Sequence, residues 1–452
     1  MTQIIKRENI YKFTISLLVP LIIIILKPIN LEMRQGVILG SIFLTVIWWG
    51  TGIVHKDAAS IFLLIIFVLL GDTSLEKIFY FPVSDTFVLV VSSFLISQGI
   101  INSKVADKFS YIILNKYCYN SVRLVIMSFL LNILMIFVIP HPFPRIILLA
   151  SIYNNYLKQE KIAQQESSVL IFSIFVASTI TSMMFINGDV VINNSALQLG
   201  EITMDYVQWA RNMALPTLIT AGIIMCSFLL IFKKDMAITF NKNNTIVKLN
   251  LEHKEKITIL ITIILISLWV TEGLHGVKTA TVAMLGVSSM FLTRIINFQD
   301  LKYVNVSVLI SLTAQFAIGK VLVGSGITMN LNQFLIEMFP SHGSIMYLPS
   351  IIILTMFLHM MMGSSVTAIS VIIPSMLALT NGIYTSEFIV LLVTISVCMH
   401  YLLPFHHVSI MIGNSNQYYS SKLTFKMGIV LTGLTLVSVL FIFVPWWKIM
   451  NL

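Results

Sequence analysis

Phe137–Arg145 reads F-V-I-P-H-P-F-P-R and interrupts an apolar segment that runs from about Leu124 to Ala150. The prolines at 140, 142 and 144 each lack an N–H and clash one turn back, so a helix does not continue through them. At membrane depth, irregular backbone persists only where it is buried in protein or lines a wet cavity. The stretch therefore predicts the tip of a re-entrant hairpin or a break in a helix. His141 and Arg145 stand at that break, and an ionisable group inside a membrane segment marks a functional site by default. The plainer reading is a proline-kinked span whose Arg145 snorkels to the headgroups.

The composition around this stretch leaves one class. The 452 residues are 57% hydrophobic and 10% charged, against roughly 25% charged in soluble proteins. With a mean hydropathy of +0.92, the chain reads as an all-α polytopic membrane protein surrounded by lipid bilayer. Its net charge of +9 is not a nucleic-acid signal, because the basic residues fall in short loops rather than on one face. Cys118, Cys226 and Cys398 are too widely spaced for a metal or disulfide pattern, and no cofactor is expected. The start, M-T-Q-I-I-K-R-E-N-I-Y-K, resembles a signal peptide, but no small-residue cleavage site follows Pro28, so it reads as an uncleaved first span.

Apolar runs near 13–30, 36–54, 58–71, 83–103, 167–186, 207–232, 256–274, 277–292, 303–322, 386–403 and 427–447 predict about 11 spans. Two interrupted runs, 124–150 and 349–378, predict re-entrant hairpins. Most Lys and Arg fall on one side if the N-terminus is cytoplasmic, which puts the C-terminus outside. The expected organisation is an N-terminal cytoplasmic segment and first helix (1–35), a first repeat (36–232), a cytoplasmic linker (233–256) and a second repeat (257–452). The repeat is read from matches at a near-constant offset. Trp49-x-Thr51-x-x-x-His55 recurs as Trp269-x-Thr271-x-x-x-His275, Phe94 as Phe316, and Ile192-Asn193-Asn194-Ser195 as Ile412-Gly413-Asn414-Ser415. Five spans after the first helix in each half predict an inverted repeat, the mark of secondary transporters whose site lies where broken helices meet.

Four breaks carry the expected site. The first is Pro140–Arg145. The second is Met362-Gly363-Ser364-Ser365-Val366-Thr367, ending at Pro374, whose hydroxyls are ion or carboxylate ligands, or else small residues that let helices approach. The third is Asn187-Gly188-Asp189, an acid at depth whose natural partner is Arg145, unless it lies at the interface. The fourth is Leu403-Pro404-Phe405-His406-His407, whose imidazoles either carry protons or satisfy freed backbone groups. Half-helix N-termini offer N–H groups to an anion, and Arg145 adds a fork suited to a carboxylate. Substrate binding is thus expected at His141, Arg145, Asn187, Ser364, Ser365, Thr367, His406 and His407. Ion coupling is expected at Asp189, His141, Ser364 and Asn414.

Trp48–Gly52 (W-W-x-T-x), the G-x-x-x-x-S-G-I pattern at Gly319–Ile327, Tyr206–Pro216 (Y-V-Q-W-A-R-N-M-A-L-P) and the paired hairpins resemble the divalent anion:sodium symporter family of the ion-transporter superfamily. The resemblance covers nearly the whole chain. It implies homodimers in the plasma membrane, an elevator-type movement, and di- or tricarboxylate substrates. The family's Ser-Asn-Thr tips fall here at Pro140-His141-Pro142 and Ser364-Ser365-Val366. Its Thr-Pro-Pro-Asn segments fall at Asn187-Gly188-Asp189-Val190 and Phe405-His406-His407-Val408. With these replacements the expected carrier is a symporter coupled to Na+ or H+, or an exchanger. Two other readings remain: a membrane transferase using His141 or His406 as base, which lacks any H-E-x-x-H or Asp-rich motif, and a transporter homologue that senses without transporting.

Overall fold

The computed structural model describes residues 13–236, 251–330, 333 and 339–452, except positions 52, 140, 363, 364 and 381. Most of the expected 233–256 linker lies outside the described residues. All described elements are helical: α1 (Leu18–Leu26), α2 (Met33–Thr51), α3 (Lys56–Leu70), α4 (Asp85–Ser103), α5 (Val105–Tyr117), α6 (Ser121–Ile136), α7 (Pro142–Gln159), α8 (Gln164–Thr181) and α9 (Val190–Leu199). Then come α10 (Tyr206–Ile231), α11 (His253–Val270), α12 (Thr279–Leu292), α13 (Val306–Gly324), α14 (Tyr347–Met362), α15 (Ser365–Leu379), α16 (Ser386–Cys398), α17 (Val408–Ser415) and α18 (Ser421–Ser438). Each apolar run forms a helix, but only Asp85–Ser103, Tyr206–Ile231, Val306–Gly324 and Ser421–Ile449 are long and apolar enough to cross a bilayer unaided among the described residues. Leu26, Leu230, Leu292 and Phe441 lie exposed, a liability in water and the outward face expected in lipid.

The order of elements repeats. Asp85 and Val306 open matching helices, as do Gln164 and Ser386, and a one-turn 3-10 piece follows each of the latter, at Ile186–Asp189 and Pro404–His406. The chain nevertheless divides into two compact units that ignore the boundary between halves. One takes the residues up to Phe87, Ser195–Ile202 and Asn305–Val397; the other takes Val88–Asn194, Thr203–Val304 and Cys398–Leu452. In the first, α2 packs on α1 and α3, while α13 packs on α3 and α15. In the second, α8 packs on α6, α7, α10 and α17.

Among the described residues, stretches enclosed on all sides include residues 311–319 of α13 and 388–397 of α16 in the first unit, and Val169–Thr181 of α8 in the second. An unbroken apolar run without a polar face belongs in such a position. Thr181 and Thr394 return their hydroxyls to their own helices' carbonyls, at Ala177 and Val390, while the Ser178 hydroxyl of α8 is buried without a partner.

The prolines act differently from expectation. Pro142 and Pro144 lie in the first turn of α7, where a missing N–H has no partner to lose. They start a helix as much as they prevent one. The second break does not extend to Pro374 either, because α15 starts at Ser365 and runs through that proline to Leu379. The Ser370 carbonyl, which Pro374 cannot serve, faces Gly319 of α13. A methyl there would come within 3.1 Å of that oxygen and 3.2 Å of the proline ring.

α6 and α7 form an antiparallel hairpin about the first break. Arg145 donates to the Ile139 carbonyl, Tyr153 to Leu124 and Tyr156 to Cys118, so partners recede from the break in step. The Lys108 ammonium of α5 donates to the Glu255 carboxylate of α11 at 2.6 Å.

Candidate functional site

Arg145 is fully buried in the first turn of α7. Its guanidinium donates to the Ile139 carbonyl (3.2 Å), the Ser182 hydroxyl (2.7 Å) and the Gly188 carbonyl (2.9 Å). It does not snorkel. Nor does it pair with Asp189: among the described residues no ion pair reaches it, and an Asp189 oxygen instead accepts from the Ile192 N–H at 3.0 Å. Three of the guanidinium's five N–H groups are engaged. The Nε–H is buried without a partner.

The titratable residues at the breaks serve as helix caps. His141 Nδ1 accepts from the Phe143 N–H at the start of α7 (3.3 Å), and His407 Nδ1 from the Ser409 N–H at the start of α17 (3.2 Å). His406 Nδ1 accepts from Leu402 and Leu403 N–H across the fourth break. Asp189 caps α9 in the same sense. The exposed N–H groups expected at these termini are thus partly satisfied by the chain itself. An imidazole accepting through Nδ1 carries its proton on Nε2. In His141 that Nε2 is buried and unpartnered, with the ring 4.5 Å from Phe94 and 4.8 Å from Phe143, centroid to centroid.

Two asparagines at the third break act differently from each other. Asn187 donates to the Ile136 carbonyl at the end of α6 (3.4 Å), while its side-chain oxygen is buried without a partner. Asn193 donates toward three carbonyls, Ser182, Phe185 and Ile186, closing the end of α8 over the start of α9. Gly188 permits this closure, since a methyl there would stand 2.3 Å from the Ser182 oxygen. The rings of Phe137 and Phe185 meet at 4.9 Å between the first and third breaks.

His141, Arg145, Asn187 and Asp189 therefore gather at one junction of the second unit. His406 and His407 belong to the same unit, at the head of α17, which packs on α7 and α8. Asn414 stands apart from the breaks: its amide donates to the Tyr419 carbonyl and its oxygen accepts from the Ser421 hydroxyl. Ser365 starts α15 in the first unit, with its hydroxyl buried and unpartnered. Ser364 and the side chain of Thr367 lie outside the described residues.

Ser182 and Asn193 were not among the expected site residues. Asn193 sat in the repeated I-N-N-S segment and offered a signal. Ser182 offered none, since a serine near a helix end has no distinguishing pattern.

The sequence matches the family described as the sodium:sulfate symporter transmembrane region over residues 7–452. Among curated proteins nothing matches it.

Proposed function

The chain belongs to the sodium:sulfate symporter family, and on that premise we propose that it carries a small organic anion, a di- or tricarboxylate, across the plasma membrane by an elevator-type movement. Members of the family are transporters and not enzymes, so the transferase reading falls. The family also implies sodium as the coupling ion. The observation that carries the carboxylate reading is Arg145. It is a permanent charge, fully buried and bonded only to neutral oxygens. A buried cation without a carboxylate partner favours a bound anion by several kcal/mol, and its Nε–H is an unpartnered donor toward one. The His141 Nε2–H is a second unpartnered donor in the same unit. By the correspondence of the two halves in sequence, Ser364, Ser365 and Thr367 are assigned the matching role. The protein is read as a homodimer with its N-terminus in the cytoplasm.

Uptake into proteoliposomes decides this reading. Labelled four-carbon dicarboxylate is expected to accumulate under an inward sodium gradient, and labelled sulfate far less. A pH gradient without sodium is expected to drive little uptake. Preference for sulfate removes the carboxylate assignment. Absence of flux for every anion leaves the non-transporting homologue. Arg145→Ala is expected to lower anion affinity at least 100-fold, the effect of about 3 kcal/mol.

A further inference from the structure

We infer that Arg145 is a resident cation, filling an oxygen cage that would otherwise be able to hold a coupling sodium ion at the first hairpin. The inference rests on the sodium-coupled reading above and narrows it. The guanidinium's partners are two main-chain carbonyls and one hydroxyl. Neutral hard oxygens of this kind, freed where helices unwind, are what sodium-coupled carriers use to hold the ion.

The three oxygens come from two separate interruptions. Ile139 lies at the hairpin break, while Ser182 and Gly188 flank the break between α8 and α9. One positive centre draws both together, as a coordinated ion would. The cage is closed to bulk solvent, with Ile139 and Arg145 both wholly buried. Its geometry does not rest on Arg145 alone: Gly188 is seated on the Ser182 carbonyl, and Asn193 ties that same carbonyl to Phe185 and Ile186.

A cation bonded to the chain neither arrives with the cargo nor leaves with it. The first hairpin therefore stays joined to its broken helix throughout the cycle without taking up sodium. Sodium that drives transport is held elsewhere, and the positive charge presented to the anion at this junction is permanent.

Purified protein tests this by thermal unfolding in sodium against potassium. Arg145→Ser leaves the cage without its cation, and Arg145→Lys keeps a tethered charge. Arg145→Ser is expected to gain a sodium-specific rise in Tm of about 2 °C or more over that of the unsubstituted protein, and Arg145→Lys is expected to gain none. An identical sodium response in all three proteins overturns the inference. Should Arg145→Ser not fold, hydrogen exchange on the unsubstituted protein replaces it. Exchange in 137–145 and 182–192 is expected to be the same in sodium and potassium; slowing confined to those segments in sodium overturns the inference. Neither measurement needs flux, so failed uptake counts against the transport reading alone.

Discussion

At the residue scale, the junction depends on positions where one atom more or less changes the outcome. Gly188 is the tightest. A methyl 2.3 Å from the Ser182 carbonyl meets rigid backbone and no yielding side chain, so Gly188→Ala is expected to destabilise the protein by about 3 kcal/mol, measured as a fall in Tm in detergent. His141 has two separable jobs. Its Nδ1 caps α7, and its Nε2–H is the free donor. Asparagine is a good cap but places no donor where Nε2 stands. His141→Asn is therefore expected to keep Tm within a few degrees while weakening anion binding about tenfold, the effect of one hydrogen bond of about 1.4 kcal/mol. Equal affinity in a titration would leave His141 with a capping role alone. The sequence singled out His141 and Arg145, and both are fully buried at the first break. It misjudged the partner of Arg145, because the cost of burying an unpaired charge predicts a salt bridge to Asp189, whereas the guanidinium bonds to two carbonyls and a hydroxyl.

At the scale of elements, Arg145 ties the tip of the first hairpin, and an ion pair between the first turns of α5 and α11 joins those two helices. Lys108 on α5 and Glu255 on α11 bond directly. The hydrogen bond pulls the Glu255 carboxyl below its ordinary range and pushes the Lys108 ammonium above its own. The depressed Glu255 value means that its stabilisation is present above the ordinary carboxylate range and is lost as pH falls through the lowered value. The raised Lys108 value means that its share is present below the ordinary ammonium range and lost only as pH climbs past it. Between these limits the contact between α5 and α11 is expected to be independent of pH. Hydrogen exchange of residues 105–117 should therefore stay constant from neutrality down to mild acid and quicken below the carboxylate range. Glu255→Gln should show the quicker exchange already at neutral pH. The apolar run 256–274 placed α11 to within a few residues, since such runs have one favourable backbone form in lipid; α5 carries no such run and was read as part of a cytoplasmic segment.

For the molecule as a whole, the two compact units each contain helices from both halves of the chain. Neither half holds a complete unit. Expressed separately, 1–236 and 251–452 are each expected to aggregate; expressed together, they are expected to co-purify as one particle and recover sodium-driven uptake. A monodisperse, protease-resistant 1–236 by itself would contradict this. Trp49 and Trp269 each donate to a carbonyl at the head of the next helix, Lys56 and Thr279. The chemistry at the breaks has diverged. The first hairpin tip holds a guanidinium, while the second starts from the buried hydroxyl of Ser365.

By itself the sequence determined the environment, the helical class, the positions of the interruptions and the family. Each follows from composition or local pattern, and hydrocarbon permits few alternatives to helix. The tertiary structure alone decided what the polar groups at the interruptions bond to. It put Arg145 among carbonyls from two distant segments, turned histidines and an aspartate into caps, and assembled each unit from both halves. Those outcomes depend on backbone oxygens, which every residue carries alike and which no residue type announces.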